Sequence, residues 1–294
     1  MKRYFFEISY KGTKYFGWQR QPNQLSVQEV LEETIGKLHS NTIYALVGCG
    51  RTDTGVHAHH YVFHIDLPEM ASIEQMLFKL NRMLPDSIVI HSIKEVNNDF
   101  HARFGATKRT YRYFIHTQKN AFITESSTYV AAPFDLDKMN QAAKHLIGTQ
   151  DFTSLSKLHT DVKTNICTVY FAEWFTNENG VYFEISADRF LRNMVRATVG
   201  TLLDVGFGKI QPEDLPAAGL RVHRLGAVDP HRHRLPAGHQ PVAPDVVPQH
   251  DADPLHCDRL RGRPRIDHHR LPQTHSRRVR QGHEGGNRQE RGTW

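Results

Sequence analysis

Helical and strand patterns alternate within residues 26–67, SVQEVLEETIGKLHSNTIYALVGCGRTDTGVHAHHYVFHIDL, and this alternation indicates the fold class. Ser26 and Glu29 form a capping box, which marks the first turn of a helix. Apolar residues at helical spacing then continue the helix to His39. Thr42–Val47 is a short apolar strand, and His57–Leu67 is rich in the aromatic and β-branched residues typical of a longer strand.

The flanking segments extend this pattern to a complete unit. Lys2–Tyr10 before it and Ile88–Val96 after it have the composition of strands. Ser72–Leu84 has a second capping pair and one apolar face, as expected of a helix. The predicted order is therefore β-α-β-β-α-β, which is ferredoxin-like.

The second part of the chain begins to repeat this order. The predicted elements are a strand, a helix, two strands joined by a turn, and a helix, which cover Thr107–Thr117, Asp135–Ile147, Thr164–Phe175, Val181–Ala187 and Phe190–Val205. The pattern then calls for a sixth strand, and the residues that follow offer none. We expect an α+β fold of two ferredoxin-like halves, residues 1–100 and 101–210, which share a mainly antiparallel sheet. A central cleft between them would suit RNA.

Residues 211–294 form a tail of different composition. All 13 lysines lie at or before Lys209, and the tail contains 14 arginines but no lysine, phenylalanine or tyrosine. A segment without large apolar residues at a regular period cannot build a core. Because arginine, proline and glycine have GC-rich codons, we interpret the tail as disordered or as the frameshifted translation of a GC-rich frame.

Composition narrows the classes of function. The net charge is +6, but residues 1–210 carry 23 Lys and Arg against 21 Asp and Glu, so any contact with nucleic acid must come from local patches. No apolar run reaches the length of a membrane span. The three cysteines are odd in number and widely spaced, so we expect no disulfide framework and a cytoplasmic location.

The first segment with candidate chemistry is the loop Gly48–Ala58. Its glycines frame Arg51 and Asp53, and glycine permits close approach of the backbone to a ligand. The alternative is a glycine-rich turn in which Arg51 and Asp53 are merely solvated.

The second segment is His101–Tyr113, in which basic residues interleave with aromatics. That pattern suits phosphate contacts beside stacking platforms. It also fits a strand in which Tyr111 and Tyr113 share the buried face, an interpretation that suits Tyr113 in particular.

The third segment is Ala187–Arg196, which carries Arg189, Arg192 and Arg196 at spacings of three and four residues. On a helix these side chains would line one stripe. The stripe is either a solvated basic face or a phosphate clamp in which one arginine pairs with a buried carboxylate.

Together these segments resemble the TruA-type pseudouridine synthases. The family pattern GRTD-x-GVHA matches Gly50–Ala58, HARF-x-A followed by YRY matches His101–Tyr113, and F-x-R-x-MVR-x-x-VG matches Phe190–Gly200. Tyr10–Gln21 is similar to the family's N-terminal loop, and Asp151–Thr153 matches a further motif. Several ordered motifs are more specific than any one of them. The resemblance covers about residues 3 to 216 and implies the pseudouridine synthase fold.

The resemblance also implies a reaction and a substrate. The reaction breaks the bond between ribose and uracil N1, turns the base and joins ribose to C5, in uridines of the anticodon stem-loop of tRNA. Nothing is oxidised or lost, so no redox cofactor and no metal are expected. The target uridine must leave the base stack to be reached. Members of the family are homodimers.

Roles for individual residues follow from the same resemblance. Asp53 corresponds to the catalytic aspartate, and attack on the sugar, addition to the base and removal of a sugar proton all stay open as its route. Tyr111 corresponds to the tyrosine that stacks on the base and handles the C5 proton. Arg192, or alternatively Arg189, corresponds to the basic partner of the aspartate. Arg51 corresponds to the arginine that enters the space left by the flipped base. Further phosphate contacts are expected from Lys108, Arg109, Arg112 and Arg196.

Two other classes of function compete with this interpretation. A non-catalytic RNA-binding protein of two RRM-like units would make Asp53 dispensable, although the glycine pattern of an RNP1 strand is absent. A metal site would use side chains that crowd together in the sequence, namely Cys49, His57, His59, His60 and His64. Alternation along a strand divides these histidines between two faces, and their spacing matches no common zinc site.

Overall fold

In the computed structural model of the chain, the described residues are 1–156 and 164–215, with Val242–Ala243 and Val247–Pro248 described as strands of backbone only. All of them belong to one unit, which spans Met1–His250. The predicted disordered or frameshifted character of the tail therefore falls outside the described residues, apart from its first five positions and those two strands.

The first half has the predicted β-α-β-β-α-β order. Its elements are β1 (Lys2–Tyr10), α1 (Val27–Leu38), β2 (Leu46–Gly48), β3 (His57–Leu67), α2 (Ile73–Met83) and β4 (Ile88–Val96). Both helices begin at the predicted caps, because the hydroxyls of Ser26 and Ser72 each accept a hydrogen bond of 3.2 Å from a backbone N–H three residues on. The predicted bounds of β1, β3 and β4 are confirmed.

Strand β2 is shorter than the predicted strand Thr42–Val47. The backbone just before β2 is hydrogen-bonded to the end of α1, because the N–H groups of Asn41 and Thr42 donate to the carbonyls of Gly36 and His39. Ser40 and Asn41 both have positive φ, which turns the chain there. Pairing with β3 therefore begins only at Leu46.

The second half contains β5 (Ala106–His116), β6 (Thr128–Tyr129), α3 (Leu136–Ala143), β7 (Gly148–Asp151), β8 (Ile166–Asn177), β9 (Gly180–Ala187) and α4 (Met194–Gly206). The predicted hairpin is confirmed, with Asn177 opposite Gly180. The predicted helix Asp135–Ile147 tightens into a 3₁₀ turn at Lys144–Leu146. Strands β6 and β7 are too short to have produced a sequence pattern.

The prediction of a helix from Phe190 to Val205 is wrong at its start. Asn193 has φ 67° and ψ 0°, a left-handed conformation that no α-helix continues through, so α4 begins at Met194. Arg189 and Arg192 precede the helix, and only Arg196 lies on it. The three arginines therefore do not line one helical stripe.

One sheet crosses both halves in the order β4-β1-β3-β10-β5-β9-β8-β7, where β10 is Val242–Ala243. The long pairs β1–β3, β1–β4, β5–β9 and β8–β9 are all antiparallel, which confirms the α+β fold with a mainly antiparallel sheet. β10 pairs with both β3 and β5, and β11 (Val247–Pro248) pairs with β5. The expectation that the tail offers no strand is thus wrong, because a two-residue strand needs only free backbone groups and no apolar period.

Buried side chains form two hydrophobic cores. One core runs from Tyr4 to Ala106 and the other from Tyr113 to Leu215, and Tyr111 packs against both. The predicted boundaries at residues 100 and 210 stay a prediction. No helix in the described ranges is long and apolar enough to cross a membrane, since the longest of them, α4, has 13 residues.

Candidate active site at the seam of the two cores

The loop that carries Asp53 leaves the sheet after β2 and returns at the start of β3. Its first anchor is Cys49, which is fully buried and donates its N–H to the carbonyl of Val62 at 2.9 Å. Within the loop, the N–H of Val56 donates to the carbonyl of Asp53 at 3.2 Å, which closes a tight turn. The side chains of Arg51 and Asp53 are exposed at the tip, while Thr52 between them is buried.

The segment Gly12–Trp18 packs against the back of this loop. Trp18 donates its N–H to the carbonyl of Thr52 at 3.2 Å, and Gly55 donates to the carbonyl of Tyr15 at 3.1 Å. Gly17 has φ +89°, and a Cβ added there would lie inside 3.0 Å of the Thr52 oxygen and 3.1 Å from the carbonyl carbon of Asp53. Glycine is therefore required by both backbone conformation and space.

Three buried aromatic residues support the loop from below. The hydroxyl of Tyr10 lies 2.9 Å from the hydroxyl of Thr52, and the hydroxyl of Tyr61 donates to the carbonyl of Gly50. The rings of Trp18 and Tyr61 are in contact, with centroids 4.1 Å apart. Burial raises the pKa of both tyrosines above the usual range, so both phenols stay protonated and keep these hydrogen bonds at neutral pH.

Tyr111 approaches the loop from the second half. It lies on β5 opposite Ile185 of β9, and Phe190 contacts its ring edge-on at 4.9 Å between centroids. Burial, and after it the negative charge of Asp53, raise the pKa of the Tyr111 phenol above its usual range. The phenol is therefore protonated at neutral pH, and Tyr111 packs against the hydrophobic cores of both halves. Tyr113, two residues on, is 1% exposed and belongs to the core, as predicted for it.

Arg109 joins the loop to its surroundings instead of pointing away from the protein. Its terminal nitrogens donate to the backbone carbonyls of four residues, which are Cys49, Arg103, Ala106 and Asp188. The side chain is half-buried. Its guanidinium lies close enough to Tyr111 for its positive charge to lower the pKa of that phenol, against the larger effect of burial.

The other predicted basic residues differ in exposure. Arg51, Lys108 and Arg192 are exposed, whereas Arg189 and Arg196 are half-buried. In residues 1–156 and 164–215, no ion pair within 4.0 Å joins Asp53 to Arg189 or Arg192, the two candidates for its basic partner. Arg112 forms an ion pair of 2.7 Å with Glu184 on the neighbouring strand.

The turn His101–Gly105 is a part of the site. The contacts that hold this turn were not predicted from the sequence. The N–H of Ala102 donates to Nδ1 of the buried His64 at 3.1 Å, and Nδ1 of His101 accepts from Arg103 and Phe104. Phe104 is 78% exposed, with the guanidinium of Arg103 5.9 Å from its ring centroid. The available signal was the cluster of histidines along β3, which was weighed only as a metal site and found divided between two faces of the strand.

Two histidines of the weighed metal site, His57 and His64, have other partners. His64 holds Ala102, and Nε2 of His57 lies 2.8 Å from the carbonyl oxygen of Glu125. Cys49 lies buried under the loop. In the part of the chain that the structure describes, no three His, Cys, Asp or Glu side chains are grouped so that they could hold a metal ion.

The amino-acid sequence matches a family model in comparisons with known proteins. The family model described as tRNA pseudouridine synthase matches residues 8–105 and 142–226, which is more than half of the chain. The chain therefore belongs to the tRNA pseudouridine synthase family, and within it to the TruA type. This narrower placement rests on relatives named tRNA pseudouridine synthase A.

Three such relatives illustrate the similarity. The protein of Bacteroides fragilis is 48% identical over 217 residues, which cover 73% of this chain and 85% of the relative. The protein of Parabacteroides distasonis is 48% identical over 242 residues, covering 78% and 95%. The protein of Bacillus subtilis is 40% identical over 211 residues, covering 71% and 85%.

Proposed function

We propose that this chain isomerises uridine to pseudouridine in the anticodon stem-loop of tRNA, with Asp53 as the catalytic residue. Membership of the family supports the reaction class, that of an isomerase acting on tRNA. The observation that carries the role of Asp53 is its position. It is an exposed carboxylate on a loop with a fixed backbone, and its charge raises the pKa of Tyr111, which packs against both cores.

The fixed backbone suits the chemistry. The isomerisation breaks the C1′–N1 bond, forms a C1′–C5 bond and moves the C5 proton, while N1 gains one, so all atoms of the uridine are kept. A carboxylate can act at the ribose only if it is held at the reacting carbon when the base is free to turn. The hydrogen bonds between the loop and Tyr10, Tyr15 and Trp18 supply that constraint.

The protonation state of the Tyr111 phenol limits the part that this residue can play in the proton transfer. Since burial and the charge of Asp53 keep the phenol protonated, Tyr111 can stack on the uracil and donate a hydrogen bond to it. The phenol oxygen can accept the C5 proton only if its own proton leaves in the same step.

Three exposed cations suit contact with the RNA backbone. Arg51, Lys108 and Arg192 make no side-chain hydrogen bond or ion pair within the described residues, so their charges are available to phosphates. We assign these three to tRNA binding and keep Arg189 and Arg196 as weaker candidates because both are half-buried. A cytoplasmic location and a homodimer complete the proposal, and light scattering of the purified chain measures the latter.

The deciding experiment compares the unchanged chain with Asp53→Asn on unmodified tRNA. Chemical labelling of pseudouridine followed by primer extension maps the modified positions. Asp137→Asn on α3 is the matched control, since it also removes one charge from an exposed aspartate. We expect pseudouridine in the anticodon arm from the unchanged chain and the control, and none from Asp53→Asn.

Two results would contradict the proposal. Activity of Asp53→Asn equal to that of the control would remove Asp53 from the chemistry. A folded, unchanged chain that binds tRNA and forms no pseudouridine would favour the RNA-binding alternative.

A further inference from the structure

The guanidinium of Arg109 has an unusually complete set of acceptors. Nη1 donates to the carbonyls of Asp188 at 2.6 Å and Ala106 at 3.2 Å, and Nη2 donates to those of Cys49 at 2.9 Å and Arg103 at 3.1 Å. The two terminal nitrogens carry four N–H groups between them, and each of these has one acceptor.

These acceptors lie in the three segments that carry the family motifs. Cys49 lies at the start of the Asp53 loop, Arg103 lies in the turn before β5, and Asp188 begins the segment that leads to α4. Asp188 is itself fixed, because its carboxylate accepts from the N–H groups of Thr168 at 2.8 Å and Arg189 at 2.7 Å. One side chain thus connects the loop of the first half to a rigid point of the second.

Geometry argues against a phosphate contact for the same side chain. A phosphate would have to displace backbone carbonyls from half-buried N–H groups, and those carbonyls would lose their partner. The remaining donor, Nε, faces Gly50, where an added Cβ would lie 3.7 Å from it. The adjacent Lys108 is exposed and free of such bonds in the described part of the chain, so it is the better candidate for the RNA backbone.

We propose that Arg109 is a positioning residue, which holds the Cys49 end of the loop against the second half so that Asp53 faces Tyr111. The proposal rests on the proposed role of Asp53. A planar fork of donors can satisfy carbonyls in several directions, whereas the ammonium of lysine is a single point on a flexible stem. A lysine at this position, which keeps the positive charge, therefore does not replace the hydrogen bonds of Arg109.

Arg109→Lys tests this because it keeps the charge and removes the fork, and Lys108→Ala is the comparison. Three quantities are measured for each variant: the rate of pseudouridine formation at saturating tRNA, the dissociation constant of tRNA, and its dependence on salt concentration. Hydrogen exchange of the amides in Gly50–Val56 measures the loop directly. Circular dichroism checks that each variant is folded at the assay temperature.

For Arg109→Lys we expect a rate at saturation that is lower by about tenfold or more, because small displacements of a reacting group are costly. Its tRNA affinity and salt dependence stay those of the unchanged chain, and the loop amides exchange faster. For Lys108→Ala, the comparison for a lost phosphate contact, we expect weaker binding and a salt slope that is smaller by about 0.7–0.9.

Three outcomes would overturn the proposal. Arg109→Lys with weaker binding, a smaller salt slope and an unchanged rate would make Arg109 a phosphate contact. Arg109→Lys equal to the unchanged chain in rate and loop exchange would make the four bonds unimportant. An unfolded Arg109→Lys would make Arg109 a determinant of folding. If the unchanged chain is inactive, the proposed function fails, and hydrogen exchange still decides whether Arg109 holds the loop.

Discussion

Replacement of Gly17 by alanine should lower the rate of the reaction more than the stability of the fold. Two costs arise at this position. The left-handed φ of +89° costs an alanine about 1–2 kcal/mol. In addition, the new Cβ would lie inside 3.0 Å of the Thr52 carbonyl oxygen, so the backbone of the Asp53 loop must move by about half an ångström. A misplacement of about 1 Å can cost about a hundredfold in rate, so we expect a loss of about tenfold here.

Substitutions at two other glycines allow the cost of the strained φ to be measured apart from the cost of the steric contact. Gly208 has φ +72° and Gly148 has φ +105°, and an added Cβ would meet nothing within 4 Å at either. Gly208→Ala and Gly148→Ala therefore carry the conformational strain without the contact with the loop. The assay is the rate of pseudouridine formation at saturating tRNA, with thermal unfolding of all three variants in parallel.

We expect all three variants to lose stability, Gly17→Ala the most because it carries the steric contact as well as the strain, and we expect a lower rate only in Gly17→Ala. Equal rates in Gly17→Ala and Gly208→Ala would refute the reasoning, because the packing of Gly17 on the loop would then have no effect on Asp53. A loss of tRNA affinity in Gly17→Ala with an unchanged rate at saturation would refute it as well, since the contact would then shape binding and not chemistry.

Two further predictions concern stability in acid and RNA binding. Burial, and after it the charge of Arg3, lower the pKa of His64 to about 4, below its usual 6.5, so the unfolded chain binds a proton before the folded chain does as pH falls. This linkage removes about 2 kcal/mol of stability between pH 7 and pH 5. His64→Gln cannot titrate, so it should lose less stability than the unchanged chain in thermal unfolding at the two pH values, and an equal loss would contradict the assignment. Arg51→Ala should weaken tRNA binding with a salt slope smaller by about 0.7–0.9; an unchanged slope in binding titrations would mean that Arg51 contacts no phosphate.

The first half could be predicted from the sequence almost residue by residue. Ser26 and Ser72 are true caps, and β1, β3 and β4 have the predicted bounds, because their signals are local. Capping pairs and the period of apolar residues act within a few positions of each other. The proximity of Asp53 to Tyr111 came from the family resemblance, since residues 58 positions apart leave no mark on each other's local pattern.

What the sequence could not predict depends on tertiary contacts. Phe190–Val205 has a helical pattern throughout, yet the left-handed Asn193 interrupts it. The residues before Asn193 are therefore not helical, and the predicted basic stripe does not form. Arg109 looked like one cation among several in a basic segment. Its role depends on carbonyls contributed by Cys49 and Asp188, which are 60 and 79 residues away. Every residue carries a backbone carbonyl, so no sequence motif could have indicated which carbonyls accept these hydrogen bonds.

The burial of Cys49 gives the molecule a native reporter of loop opening. Burial raises the pKa of its thiol to about 12, and its side chain is fully covered in the closed state. A thiol reagent needs an exposed thiolate, so it reacts with Cys49 only in the fraction of molecules whose loop has opened. The rate of alkylation at this one sulfur therefore measures the free energy that holds the loop of Asp53 in place, in the unlabelled protein and without substrate.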